Sequence, residues 1–127
     1  MSTRKERLKK LVKVQEQLKG LHETRHATFL AAAATAETEA KELVQHFDQA
    51  DSIGALFPDL YHRRIANALQ RQEAGLESAR QEVGLIATAT ARTNMVERAY
   101  KDVRRQDERE RSDRDRLDLI AQKRRQE

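Results

Sequence analysis

A single proline, Pro58, closes the one stretch of this sequence where turn-forming residues gather, Asp51-Ser52-Ile53-Gly54-Ala55-Leu56-Phe57-Pro58. Proline and glycine are the strongest punctuation a chain carries. A sequence of 127 residues with one proline and four glycines therefore has room for long uninterrupted elements and one decisive break. Pro58 suits the first turn of a helix, where its missing N–H would have had no partner, and Asp59 sets an anion near the positive end of the helix dipole. The expectation is helix 1 over about residues 3–50, a hairpin loop over about 51–57 and helix 2 over about 58–125, in a single coiled-coil domain spanning 1–127.

Composition agrees with helices and disfavours a compact enzyme. The charged fraction is 36% and the aromatic fraction 4%, which leaves little to fill a globular core. The chain is rich in Ala, Leu, Arg, Lys, Glu and Gln, the residues that lose least on entering a helix. Net charge is +4 with both signs abundant, so helices laced by i,i+4 ion pairs are expected in place of disorder through self-repulsion. With no cysteine, disulfides and thiolate chemistry are excluded, in keeping with a reducing compartment. The longest apolar run, Phe29 to Ala34, is mostly alanine and far short of the ~20 residues that span a bilayer. Arg4, Lys5, Arg7, Lys9 and Lys10 are followed by no apolar core or cleavage site, so the start does not read as a signal peptide and the chain is expected in the cytoplasm.

Apolar residues recur at Leu8, Leu11, Val14, Leu18 and Leu21, and again at Phe29, Ala33, Ala36, Ala40, Leu43, Phe47 and Ala50. Both groups have coiled-coil spacing. Leu18 and Phe29 stand eleven residues apart, a heptad plus four, so the seam is expected to pass a stutter that locally unwinds the supercoil. Gly20 costs that helix ~1 kcal/mol relative to alanine without breaking it. The second seam reads Ile65, Leu69, Gln72, Leu76, Ala79, Val83 and Ile86, then drifts through Ala89, Thr93 and Val96 to Tyr100 and Val103. A turn centred near Gly54 brings Phe47 opposite His62 and leaves residues from about Gln106 onward without a mate. The fold class is thus all-α: two long helices forming an antiparallel coiled-coil hairpin with a protruding, highly charged C-terminal helix.

His22-Glu23-Thr24-Arg25-His26 matches H-E-x-x-H, the helical zinc-protease pattern. The pattern needs a third ligand and a water-excluding pocket. Here Arg25 puts a cation inside the motif, and the downstream glycine and third histidine of the metzincins are missing. The plainer reading makes His22 a polar residue at the stutter, with His26 and Glu23 on a solvated flank. No catalytic residue, resident metal or cofactor is expected. Residues 4–19 carry seven cations, Arg4, Lys5, Arg7, Lys9, Lys10, Lys13 and Lys19, against Glu6 and Glu16, which implies an acidic partner. No aromatics are interleaved with them and no DNA-reading motif is present, so specific nucleic-acid recognition is not expected. Near the turn, Leu56, Phe57, Leu60, Tyr61 and Ile65 outnumber what a two-helix tip can bury, which predicts an apolar patch.

A short, cysteine-free, basic coiled coil of this design resembles FliJ, the flagellar export protein, and its YscO-like relatives in injectisomes. The sharper likeness is Tyr61-x3-Ile65-x2-Ala68-x3-Gln72, similar to the F-x3-L-x2-A-x3-H surface through which the family contacts the FlhA-like export-gate protein. Tyr, Ile and Gln stand where that motif has Phe, Leu and His, and the last change removes an ionisable group. Arg116-Leu117-Asp118-Leu119-Ile120-Ala121 is also similar to the L-D-E-I-A-type ending of many members. The resemblance implies a non-catalytic central stalk, peripheral to the inner-membrane export apparatus, that links a hexameric FliI-like ATPase to the gate and escorts export chaperones. It implies gate contact through Tyr61, Ile65, Ala68 and Gln72, and an ATPase-pore-facing set of Lys9, Lys10, Lys13, Arg104 and Arg105. The alternative is a general coiled-coil adaptor, or a YscO-type injectisome protein, with a different partner.

Overall fold

The computed structural model describes residues 3–49 and 56–126, and among them there are two helices packed together and no strand: α1 (Arg4–Phe47) and α2 (Pro58–Gln126). The central loop residues Asp51 to Ala55, and the seam residue Ala50, lie outside the described residues.

Local chemistry sets the helix ends. Thr3 and Glu6 form a reciprocal capping box: Glu6 N–H donates to Thr3 Oγ1 at 3.2 Å and Thr3 N–H donates to Glu6 Oε2 at 3.1 Å. Two donors that a helix start leaves orphaned are thereby satisfied. At the other end α1 stops at Phe47, short of the expected residue 50, with Gln49 N–H donating to His46 O at 3.3 Å as the last turn tightens. Pro58 takes the first helical position of α2, and Tyr61 N–H closes the first turn on Phe57 O at 3.3 Å.

The chain divides into two units, one drawn from Met1–Leu18 and Ala89–Glu127, the other from Lys19–Thr88. Within the second unit, His22 meets Glu82, Phe29 and Ala33 flank Gly75, Glu39 meets Arg71, and Phe47 stacks at a tilt near Tyr61 and His62. The ring centroids of Phe47 and His62 are 5.2 Å apart, the neighbourhood expected from the sequence. In the first unit, Lys5 Nζ reaches Asp107 Oδ2 at 3.5 Å.

The inward residues of α1 are Lys5, Leu8, Val12, Gln15, Lys19, His22, His26, Phe29, Ala33, Ala36, Ala40, Leu43 and Phe47, all buried or half-buried. Their spacing alternates three and four without interruption, so α1 has no stutter. The heptad set by Phe29 to Phe47 runs straight back to Lys5 and places polar residues inward, while Leu11, Val14, Leu18 and Leu21 face solvent. On α2 the inward set is Tyr61, Ile65, Ala68, Gln72, Gly75, Ala79, Glu82, Ile86, Ala89, Thr93, Val96, Tyr100, Val103 and Asp107, with the same alternation. Ala68, Gly75 and Glu82 thus occupy positions expected for Leu69, Leu76 and Val83. A strict 3-4 seam needs no local unwinding, which is why it overrides the larger side chains one residue away.

The resulting core is made of small residues. Among the described residues the buried apolar ones are Ala33, Ala36, Ala40, Ala68, Ala79 and Ala89, and no large side chain is fully buried. Small inward residues let two backbones approach closely, and at Gly75 the approach is close. A Cβ built there would stand 3.1 Å from Ala33 Cβ, 3.1 Å from Phe29 O and 3.3 Å from Ala33 N. Two of the three are backbone atoms of α1, which cannot turn aside as a side-chain tip could. Gly20 and Gly84, by contrast, have nothing within 4 Å of the same construction. Thr93, buried on the seam, satisfies its hydroxyl by donating to Ala89 O at 2.7 Å.

Glycine-to-alanine substitution separates these sites. Gly20→Ala and Gly84→Ala are each expected to stabilise by about 0.5–1 kcal/mol through helix propensity. Gly75→Ala is expected to lose that gain to overpacking and destabilise by about 1 kcal/mol net. Urea titration followed by circular dichroism measures all three, and a Gly75→Ala chain as stable as Gly84→Ala would refute the close approach.

Candidate functional site

The H-E-x-x-H stretch is not laid out as a polar residue at a stutter with a solvated flank. His22 and His26 both occupy seam positions, while Glu23 is exposed and lies 3.9 Å from Lys19. Nδ1 of His22 meets Oε2 of Glu82 at 2.7 Å, and Nε of Arg25 forms an ion pair with Oε1 of the same carboxylate at 3.2 Å. Glu82 is only 4% exposed, so both carboxylate oxygens are occupied in a nearly dry setting. Two residues of the sequence motif are thereby used as partners for a buried acid on the other helix. Among the described residues no group of three or more His, Asp or Glu side chains converges as a metal site would require.

Glu82 escaped the sequence reading because Val83 next to it is the stronger apolar candidate. The signal was present in the spacing: Ile65, Gln72, Ala79 and Ile86 are heptad-related, and three residues past each fall Ala68, Gly75, Glu82 and Ala89.

The five residues expected to face an ATPase pore lie in the first unit, and all are exposed. Lys9 and Lys13, with Val12 and Glu16, share an open groove with Glu97, Tyr100 and Lys101 of α2. Lys101 also lines the adjoining groove with Arg104, Arg105 and Glu108. Lys9, Lys13, Arg104 and Arg105 are therefore gathered around Lys101, a residue the sequence reading left out, whereas Lys10 is exposed but lines neither groove. Arg104 Nε donates to Glu108 Oε1 at 3.2 Å, a surface pair that leaves the net balance basic and is worth less than about 1 kcal/mol. The floor of the first groove is apolar through Val12 and Tyr100, so it offers a cationic rim around an aromatic contact.

The four residues likened to the gate-binding motif sit in the second unit on consecutive seam positions of α2. Tyr61, Ile65 and Gln72 are half-buried, and Tyr61 packs with its ring centroid 6.1 Å from that of Phe47. Ala68 is 0% exposed, held against α1, and in this packing no partner can touch it. What remains accessible along this stretch is the outer part of Ile65 with Leu69, which line a groove with Ala40, Lys41, Val44 and Gln45. The expected apolar patch at the start of α2 is present at its outer members: Leu56, Phe57 and Leu60 are exposed, while Tyr61 and Ile65 are half-covered. In the last part of α2, Leu117, Leu119 and Ile120 are exposed too.

Comparison with protein-family models, with curated proteins and with solved structures finds no match to this chain. No described helix is long and apolar enough to cross a membrane.

The buried acid makes an asymmetric prediction. Glu82→Leu removes the charge and leaves Arg25 exposed and His22 half-buried, so it is expected to change stability by less than about 1 kcal/mol or to raise it. A His22→Ala, Arg25→Ala double substitution strands the carboxylate and is expected to cost about 3 kcal/mol. Equal losses in the two variants, measured by chemical denaturation, would show that Glu82 is not desolvated in solution.

Proposed function

We propose that the chain is an antiparallel coiled-coil hairpin with a protruding C-terminal helix, and that it works without catalysis as a FliJ-like component of a flagellar or type III export apparatus. In this reading it is a cytoplasmic stalk, peripheral to the inner membrane, linking a hexameric export ATPase to the export gate and escorting export chaperones. The antiparallel arrangement is supported by the pairs in the second unit, where α2 numbers fall from Glu82 through Gly75 and Arg71 to Tyr61 as α1 numbers rise from His22 to Phe47. Protrusion of the C-terminal helix is supported by the exposure of every described residue after Asp107.

The observation that carries the functional reading is the gathering of Lys9, Lys13, Lys101, Arg104 and Arg105 about two adjoining grooves. Such a basic surface with few apolar anchors suits an acidic ring lumen, because long-range attraction guides entry while little buried area holds the stalk in one orientation. The burial of Ala68 favours the second reading, a coiled-coil adaptor with another partner, since it removes the central residue of the gate-like motif from reach. If the gate is bound, Ile65 and Leu69 are the side chains positioned to do it.

Pull-down of the cognate ATPase and the gate's soluble domain separates the two readings. The wild-type chain is expected to capture both. Charge reversal at Lys9, Lys13 and Lys101 is expected to weaken ATPase capture about tenfold or more while gate capture persists, and a Tyr61→Ala, Ile65→Ala chain is expected to do the opposite. Failure of the wild-type chain to bind either protein would sink the export reading and leave the adaptor.

A further inference from the structure

The two sides of the helix pair in the unit Lys19–Thr88 are unlike. One side carries Glu39, with Arg71 reaching its Oε2 at 2.7 Å, and the Arg25–Glu82 pair. The other side carries apolar residues that each stand one position past an inward residue: Leu69, Leu76 and Val83 on α2, which follow Ala68, Gly75 and Glu82, and Leu30 and Val44 on α1, which follow Phe29 and Leu43. Leu69 and Val44 line a common groove, which puts them on one face. Leu69, Leu76 and Val83 are 50%, 39% and 54% exposed, at intervals of seven residues. That is the spacing of knobs that enter a neighbouring helix, and among the described residues these three remain exposed.

Charge placement identifies what does. Glu73 lies three residues before Leu76 and Arg80 four residues after it, both exposed. If a second α2 runs antiparallel with Leu76 on the two-fold axis, Leu69 faces Val83 of the other copy and Glu73 lies beside its Arg80, so the charge contact is attractive and the two-fold repeats it. A parallel pairing would put these residues of the two copies on opposite flanks of the strip, where Glu73 meets no Arg80. Among the described residues Glu73 has no ion pair, and Arg80 pairs with the exposed Glu77 at 2.8 Å, a bond cheap to exchange. The strip from Leu69 to Val83 is ~21 Å long and the helix pair ~20 Å wide. Its footprint, on the order of 400 Å² per copy, is at the low end for specific contacts and fits reversible association, not an obligate dimer.

We propose that this chain self-associates through the Leu69–Leu76–Val83 face of α2, antiparallel to the same face of a second copy, with Glu73 and Arg80 setting the direction. The pairing does not depend on the export reading, because it uses neither the basic grooves nor the gate-like motif.

The absence of cysteine from the sequence makes the test direct, because any introduced thiol is the only one present. A disulfide requires Cα atoms within about 7 Å. Leu76→Cys is expected to cross-link to itself under mild oxidation; Leu69→Cys alone is not, but it is expected to cross-link in a mixture with Val83→Cys chains. Glu73→Arg or Arg80→Glu alone is expected to weaken the dimer about tenfold, as seen by light scattering, and the double reversal in one chain is expected to restore it. The unmodified chain remaining monomeric up to millimolar concentration would overturn the proposal. So would self-cross-linking of Leu69→Cys as efficient as that of Leu76→Cys, or a double reversal no better than the single ones. Circular dichroism of each variant confirms that the helices remain formed.

Discussion

Close backbone approach at Gly75 governs the register of the second unit. With Phe29 O and Ala33 N a little over 3 Å from where a Cβ would stand, α1 comes close to α2 there, and the next inward residues include the buried Ala36 of α1 and Ala79 of α2. Once that contact is set, the 3-4 alternation decides every other inward position, including those whose side chains are poor choices for a core. Glu82 comes inward for this reason, and His22 and Arg25 are what make its burial tolerable. The capping box at Thr3 and the proline start of α2 act only at helix ends.

Much of this was legible in the residues. One proline and one turn cluster announced two helices, and Pro58 announced where the second begins. The inward run from Phe29 to Phe47 could be read directly, because there alanines and aromatics keep strict spacing with no larger competitor. The first part of α1 could not. Leu11, Val14, Leu18 and Leu21 make a more convincing apolar stripe than Val12, Gln15, Lys19 and His22, yet the second set faces inward. Side-chain hydrophobicity and seam continuity disagree by one residue at that point, and continuity prevails because it keeps the 3-4 alternation unbroken along α1. The same one-residue displacement recurs on α2, where Leu69, Leu76 and Val83 lose to Ala68, Gly75 and Glu82.

That displacement bears on function. In a core built from alanine and glycine, many of the leucines and valines are left for the outer faces, where they are exposed. The basic grooves of the first unit and the apolar strip of the second are separate surfaces with different chemistry, one suited to long-range attraction and the other to short-range fit. Candidate residues chosen by motif were caught between the two: Lys9, Lys13, Arg104 and Arg105 gather about a common centre, whereas Ala68 belongs to the interior. Lys101 was left out because Asp102 and Val103 part it from the Arg104-Arg105 pair in sequence, and only the pairing of helices brings it to Lys9 and Lys13.

A core of alanines has a thermal consequence as well. Heat capacity rises on unfolding mainly because apolar surface becomes hydrated, while exposed polar surface lowers it. Here the folded chain buries little beyond methyl groups and already leaves Leu11, Val14, Leu69 and Val83 in water. Its heat-capacity increment per residue should therefore fall below the ~12–15 cal/mol/K typical of globular domains, a quantity that scanning calorimetry reads directly. The stability curve that follows is shallow, with helices that weaken gradually over a broad span of temperature and little tendency to cold denaturation.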